Sequence, residues 1–262
     1  MTIAGTGIAM AVLLFAAGCA VAALFFVLRE RFAGGDRQRM QTYRDVFEPL
    51  FADLWSDEMH RRLTALFVAQ RIAKSKSSAR GLANVLISFI RRRLASEAEA
   101  GQNMEDVRLA LTILGTKSVR QAQAESGQNI DLGNIHFRGA ALFGVNLAGF
   151  RLAQCNFDSC QLANAKLSGT DLSGASLRGA NLNRTDLRNA DLSEADLSEA
   201  DLTGARVAAA RFTNTNISGA ILAEAIGMTQ EQLDEAYGDS GTAVSEKLRF
   251  VPGRAIRRPA KS

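Results

Sequence analysis

Residues 190–205 read ADLSEADLSEADLTGA, in which one five-residue unit occurs three times: a small residue, Asp, Leu and two further residues. The leucine position recurs every five residues from Leu132 to Leu222, in nineteen consecutive units. Phe, Val or Ile takes the place of leucine in five of them, namely Phe137, Phe157, Val207, Phe212 and Ile217. From Ala165 to Ala210, the residue two places earlier is always Ala or Thr. The pattern therefore predicts one interior side chain per unit, beside a small neighbour.

A period of five residues fits neither regular secondary structure. Every fifth residue of an α-helix drifts by about 140° around the axis, and every fifth residue of a strand lies on the opposite face. The leucines share one interior only if the chain turns a corner after each unit. Four such sides make a square coil, and we expect successive coils to stack at the ~4.8 Å spacing of paired strands.

Over residues 130–225 the pattern A-(D/N)-L-x-x resembles the pentapeptide-repeat family, whose fold is a right-handed quadrilateral β-helix. The resemblance implies about five coils and a rod roughly 23 Å long. Larger residues replace the small one near the start of the repeat, at Ile130, Ile135, Val145 and Phe150. We therefore expect the first one or two coils to be wider or less regular than the rest.

The N-terminal segment is apolar. The run from Ile3 to Leu28 contains no charged residue, and as a helix it would be about 39 Å long, enough to cross a ~30 Å hydrocarbon core. A cleavable signal peptide is the alternative, but it would need a basic leader and a shorter apolar region. Basic residues follow the run and none precedes it, which predicts a single-pass anchor with the N-terminus outside and the bulk of the chain cytoplasmic. Four of them are candidate lipid contacts: Arg29, Arg31, Arg37 and Arg39.

Residues 36–125 show helical periodicity. Leu82, Val85, Leu86, Phe89 and Ile90 form one apolar stripe, followed by three arginines that suit a helix C-terminus. A second helix carries Val107 to Leu114, with Asn103 as its expected N-cap and Gly115 just past its end. A third includes Leu63, Leu66, Phe67 and Ile72, and a fourth runs from Met40 to Leu54 with a break or kink at Pro49. These segments resemble the helical part of membrane-anchored bacterial pentapeptide-repeat proteins, which implies the bacterial inner membrane.

An open solenoid end exposes strand edges, so we expect a cap after the repeat. Thr229 and Gln232 form a capping-box pattern at the start of a short helix, Gln230–Tyr237, and Gly238 stands where a C′ glycine belongs. The predicted organisation is then a β solenoid preceded by a transmembrane helix and a small α-helical domain. Its segments are the anchor 1–28, the helical domain 29–126, the repeat 127–225, the cap and extension 226–250, and a basic disordered tail 251–262.

The sequence contains no catalytic or metal-binding pattern. It has two histidines, no HExxH, no GxSxG and no phosphate-binding glycine loop. Cys155 and Cys160 take interior repeat positions, which predicts buried thiols rather than a disulfide framework. We therefore expect no enzyme activity, cofactor or metal, and no direct binding of nucleic acid.

The expected function is that of a membrane-anchored module for protein interaction or scaffolding. The candidate protein contact is an acidic band around one coil: Asp186, Asp191, Glu194, Asp196, Glu199 and Asp201. The alternative is a DNA-mimicking binder of a topoisomerase or another nucleic-acid-binding protein, as some soluble pentapeptide-repeat proteins are. Mimicry needs acidic columns along the rod, whereas a spacing of 20 residues puts Asp191 beside Arg211 and Asp186 between Lys166 and Arg206. The partner stays unidentified, and self-association stays open.

Overall fold

The computed structural model describes residues 52–74, 76–95, 104–125, 127 and 129–249. The predicted anchor 3–28, its flanking arginines and the C-terminal tail lie outside these residues. Within them, no helix combines the length and apolar character that crossing a bilayer requires. The chain divides into two units, with the boundary between Lys74 and Ser75, inside the predicted helical domain.

The first unit contains helix α1, Met59–Ile72. Leu66 is buried, as the sequence predicts, but Phe67 is 58% exposed and lies outside the buried face. The buried face instead includes Arg62, whose guanidinium donates to the carbonyl oxygens of Ser56 and Asp57 at 2.9 and 2.7 Å. These bonds hold the turn that precedes α1.

The second unit begins with three helices: α2, Lys76–Arg93; α3, Glu105–Leu114; and α4, Lys117–Glu125. The predicted stripe of α2 is buried, and Gly115 ends α3 as expected. The expected N-cap at Asn103 is wrong, because Met104 takes that position without a side-chain hydrogen bond. The Asp106 carboxylate, which is fully buried, lies 3.3 Å from Arg93 Nε and so links α3 to α2.

From Asp131 to Ile226 the chain forms the predicted four-sided β-helix. Parallel bridges join residues 20 apart without interruption, from Asp131 with Arg151 to Arg206 with Ile226. The bridges form four columns, which we number 1 to 4 from residues 131, 136, 141 and 146. From the corner at Phe137–Ala140 onward, each corner is a tight turn closed by a backbone bond such as Ala140 N–H to Phe137 C=O, 2.8 Å. The 20-residue register is therefore confirmed.

The interior of the rod holds the leucine positions and the small residues before them, all of them buried. Where the small residue is Thr or Cys, its side chain donates to the carbonyl oxygen 23 residues earlier, as in Thr185 to Leu162 at 2.9 Å. Near the start of the rod, Phe137 and Phe157 stack with their ring centroids 4.9 Å apart. The larger residues at Ile130 and Phe150 leave the pairing register unchanged, so the expected irregularity does not extend to the register.

The C-terminal cap is helix α5, Gln230–Glu235, which is two residues shorter than predicted. The capping box of Thr229 and Gln232 is confirmed in both directions. Gly238 is not the C′ residue, because α5 ends at Ala236 in extended geometry. The chain instead resumes strand pairing after α5: Tyr237 bridges Asn216, and Ala243 bridges Ile221.

Candidate functional site

The aspartates of the repeat help to form its turns through a side-chain hydrogen bond that the sequence alone did not predict. In each of the six units with Asp before the leucine position, the carboxylate accepts the backbone N–H two residues later, as Asp196 does from Ser198 at 3.0 Å and Asp201 from Thr203 at 2.9 Å. Such local side-chain bonds favour turns, so these acids help to fix the corners of the coil. The spacing Asp-Leu-(Ser/Thr) was the signal that could have predicted it.

The six residues of the acidic band lie on different sides of the rod. Asp186 is in column 4, Asp191 in column 1, Asp196 in column 2 and Asp201 in column 3. The two glutamates occupy the corners on either side of column 2. A flat partner can therefore contact only one side of the rod, and so only part of the band, at a time. The side of column 2 has three neighbouring acids: Glu194, Asp196 and Glu199. We call these three residues the acidic surface.

Two of the other acids are neutralised by cations of the same chain. Asp186 accepts two bonds from the Arg188 guanidinium, both at 2.7 Å, and these bonds hold the pKa of the carboxyl below its ordinary value. Asp191 lies 3.2 Å from Arg211 one coil further along. Asp201 carries no ion pair within the described residues; burial opposes its ionisation, but hydrogen bonds from Thr203 and Asn183 leave its pKa lowered.

Glu194 and Glu199 differ from the other acids in backbone geometry. Both have left-handed φ, +62° and +60°, at a turn position that glycine fills in eight of the described corners. A side chain there carries a strain of about 1 kcal/mol that glycine would avoid. Both side chains are exposed, and within the described part of the chain neither makes a hydrogen bond or an ion pair. The charge they present is therefore unused by the fold.

Column 1 mixes acids and cations, with Asp171 and Asp191 as neighbours of the same sign. Arg151 lies 3.4 Å from Asp131 and 3.9 Å from Asp171, and Arg211 closes the series beside Asp191. Arg91 of α2 also approaches Asp131, at 3.6 Å. A line of phosphates presents one sign of charge along its length, whereas this column contains three acids and two cations.

The interior thiols offer no nucleophile. Burial raises the pKa of both Cys155 and Cys160 to about 12, so the thiolate is absent near neutral pH. Each Sγ–H donates to a backbone carbonyl, at 3.0 Å to Leu132 and 2.8 Å to Phe137. Among the residues that the structure describes, no group of His, Cys, Asp and Glu is arranged to hold a metal ion.

A cavity of about 420 Å³ lies between α2, α4 and the first coil. Its lining is mostly polar and includes Asn84, Gln123, Asp131 and Arg151. Asp131 and Arg151 are already paired with each other, so the cavity presents no set of free reactive groups.

The family model for Pentapeptide repeats matches eight copies between residues 135 and 226. Residues 135–226 belong to the pentapeptide-repeat family. The match lies within the residues that form the four bridge columns. Their 20-residue register agrees with the right-handed β-helix of the family. A search of the curated proteins returned no match.

Several solved pentapeptide-repeat structures are similar over part of the chain. Rfr23 from the cyanobacterium Cyanothece 51142 is 24% identical, with a TM-score of 0.33, over 44% of this chain and 65% of its own. The protein alr5209 from Nostoc Pcc 7120 is 24% identical, with a TM-score of 0.31, over 52% of this chain and 96% of its own. QnrB1, a plasmid-mediated fluoroquinolone resistance protein, is 18% identical, with a TM-score of 0.28, over 47% of this chain and 59% of its own. This chain thus spans less than two thirds of the length of Rfr23 and QnrB1.

Proposed function

We propose that this pentapeptide-repeat protein is a non-catalytic interaction module, anchored by residues 3–28 in the bacterial inner membrane, with its rod in the cytoplasm. The anchor rests on the uncharged run and on the basic residues that follow it. Arg29, Arg31, Arg37 and Arg39 would then lie beside anionic lipid head groups. The rod contributes the surface that binds a protein partner.

The observation that carries the interaction role is the pair Glu194 and Glu199. Both keep an exposed charge at a strained corner where glycine would be more stable, and neither charge is paired within the described residues. Strain that the fold does not use points to a use outside it. The acidic surface is the contact we assign to the partner.

The alternative of DNA mimicry has less support. The repeat carries 8 basic and 10 acidic residues, and its columns mix the two signs. A phosphate backbone has a much higher and uniform charge density.

The test removes the acidic charge without weakening the fold. Glu194→Gly with Glu199→Gly relieves two left-handed residues, so we expect a more stable rod, by roughly 1 kcal/mol per site. Ala209→Gly is the matched control, because Ala209 also has left-handed φ, +58°, but carries no charge. Affinity capture from solubilised membranes should lose the partner with the double variant and keep it with the control. Capture that is equal for both would refute the assignment.

A further inference from the structure

The side of the rod formed by column 4 has an excess of positive charge. Lys166, Asp186 and Arg206 follow one another along the column, and Arg184 and Arg188 occupy the corners on either side of Asp186. We call these five residues the basic face. It holds four cations and one acid, whereas the repeat as a whole has a slight acidic excess.

Three cations of the basic face are free to bind a partner. Lys166, Arg184 and Arg206 are exposed, and their side chains make no hydrogen bond or ion pair within the described part of the chain. Both carboxylate oxygens of Asp186 accept from Arg188, so its remaining influence on these cations is the longer-range attraction of Arg206, which helps to lower the pKa of Asp186. Arg184 also has left-handed φ, +56°, so this corner too keeps a charge where glycine would fit better.

The acidic surface lies on the opposite side of the rod. Columns 2 and 4 are separated by ten residues, or two corners of the square coil. Asp196 of column 2 lies halfway along the chain between Asp186 and Arg206 of column 4, so its height on the axis is within about 2.4 Å of each. The two oppositely charged surfaces are thus at the same level of the rod.

Two parallel rods placed side by side at the same height would bring these surfaces together. Glu194 and Glu199 of one copy would face the corners that hold Arg188 and Arg184 of the next. Asp196 would lie level with Asp186, and Arg178 would share the corner of Glu199. Because the two surfaces lie on opposite sides of the rod, each copy in a pair still has one unoccupied surface. The contact is therefore heterologous, and further copies can add to either side.

We propose that the basic face binds the acidic surface of a second copy of this chain. The inference rests on the proposed function, since it names the partner of the acidic surface. One side of a rod about 23 Å long offers a smaller contact area than the ~800 Å² that each partner buries in a stable complex. The association is therefore weak and salt-sensitive, and it depends on a high local concentration such as a membrane surface provides.

Charge exchange tests the contact. The full-length chain is produced in bacterial cells with donor or acceptor fluorescent proteins at its C-terminus, and energy transfer between copies is measured at matched expression. Arg184→Glu with Arg206→Glu makes both surfaces acidic, and Glu194→Lys with Glu199→Lys makes both basic. Each double variant alone should lose the transfer that wild-type copies show, whereas the two variants produced together should regain it.

The corner substitutions exchange one long side chain for another, so they add no backbone strain. Glu231→Lys on α5 is the control for a charge change elsewhere, and it should leave transfer at the wild-type level. Unchanged transfer in either double variant, or no recovery in the mixture, would overturn the inference. The two proposals can also fail separately. If wild-type copies show no energy transfer, but replacing Glu194 and Glu199 by glycine still abolishes capture of a protein, then the partner is not a second copy, while the interaction role of the acidic surface stands.

Discussion

The two ends of the rod are closed in different ways. At the N-terminal end, a turn between two helices lies directly against the first coil: Asn146 Nδ2 donates to the Gly115 carbonyl at 3.0 Å. At the C-terminal end, Tyr237 and Ala243 continue the strand pairing, and Gln232 Nε2 donates to the carbonyls of Ala210 and Val207 at 2.7 and 2.9 Å. In a longer rod, the Ala210 carbonyl would accept a hydrogen bond from the backbone of the next coil. One end thus depends on close packing of backbone, and the other on further strand pairing together with hydrogen bonds from a polar side chain.

The largest effect is expected at the packed end. A Cβ at Gly115 would lie 2.2 Å from the Asn146 carbonyl oxygen, which is backbone and cannot rotate away. Gly115→Val should therefore separate the α3–α4 turn from the first coil and lower the free energy of unfolding by about 3 kcal/mol. Chemical denaturation measures the loss, and hydrogen exchange locates it. Gly81→Ala is the control: a Cβ there meets nothing within 4 Å, and helix propensity predicts a slight gain. A loss at Gly81 as large as at Gly115 would contradict the role of close packing.

A smaller effect is expected at the capped end. Gln232→Ala removes the half of the capping box that the Gln232 side chain makes and leaves the Ala210 carbonyl without its donor, so we expect a loss of about 2 kcal/mol. Faster hydrogen exchange should be confined to the last coil. The neighbouring Glu231→Ala, which keeps all of these bonds, should change stability by less than ~1 kcal/mol. Equal losses in the two variants would show that the helix, rather than the Gln232 amide, closes the rod.

A polar contact at the packed end should have a minor effect. Arg91 donates to the Asp131 carbonyl at 3.2 Å, but its side chain is 46% exposed. Arg91→Met keeps the apolar stem and should cost only about 0.5 kcal/mol, since an exposed charge pair is screened by water. A loss as large as that of Gly115→Val, measured by the same denaturation, would mean that the charge holds the helices on the rod.

The last prediction concerns reactivity rather than stability. Burial raises the pKa of Cys155 and Cys160 to about 12, and their Sγ atoms bond to carbonyls of the first coil. In a Cys19→Ser background, thiol reagents should therefore react slowly near neutral pH, and the rate should keep rising with pH instead of levelling off near the ordinary thiol pKa of ~8.5. Gly115→Val should speed the reaction by opening the nearby end, and Gln232→Ala should not. Rapid reaction of the parent protein would contradict the burial of these thiols.

The sequence predicts the regular part of this molecule well and the ends less well. Register and interior follow from a five-residue period, because each unit repeats the same local turn and the same buried leucine. The capping box also lies within four residues, from Thr229 to Gln232, and it is confirmed. The contacts of Gly115 with Asn146 and of Arg91 with Asp131 span 31 and 40 residues, so no local pattern could predict them.

In the candidate site too, the sequence predicts which residues are neighbours but not their detailed contacts. A 20-residue spacing placed Asp191 beside Arg211 and Asp186 among cations from the sequence alone. The capture of both Asp186 oxygens by Arg188 depends on side-chain conformation at a corner, which spacing does not reveal. Left-handed geometry at Glu194 and Glu199 became visible only with the turns in place.

The pairing of each residue with the one 20 positions later has a consequence for how such a surface can change in evolution. Loss or gain of one five-residue unit leaves the interior intact but rotates everything beyond it by a quarter turn about the axis. A deletion between Lys166 and Asp186 would thus carry Asp186 from column 4 to column 3, away from Lys166. Small insertions and deletions can therefore re-aim a binding surface in steps of 90° without any change to the side chains that form it.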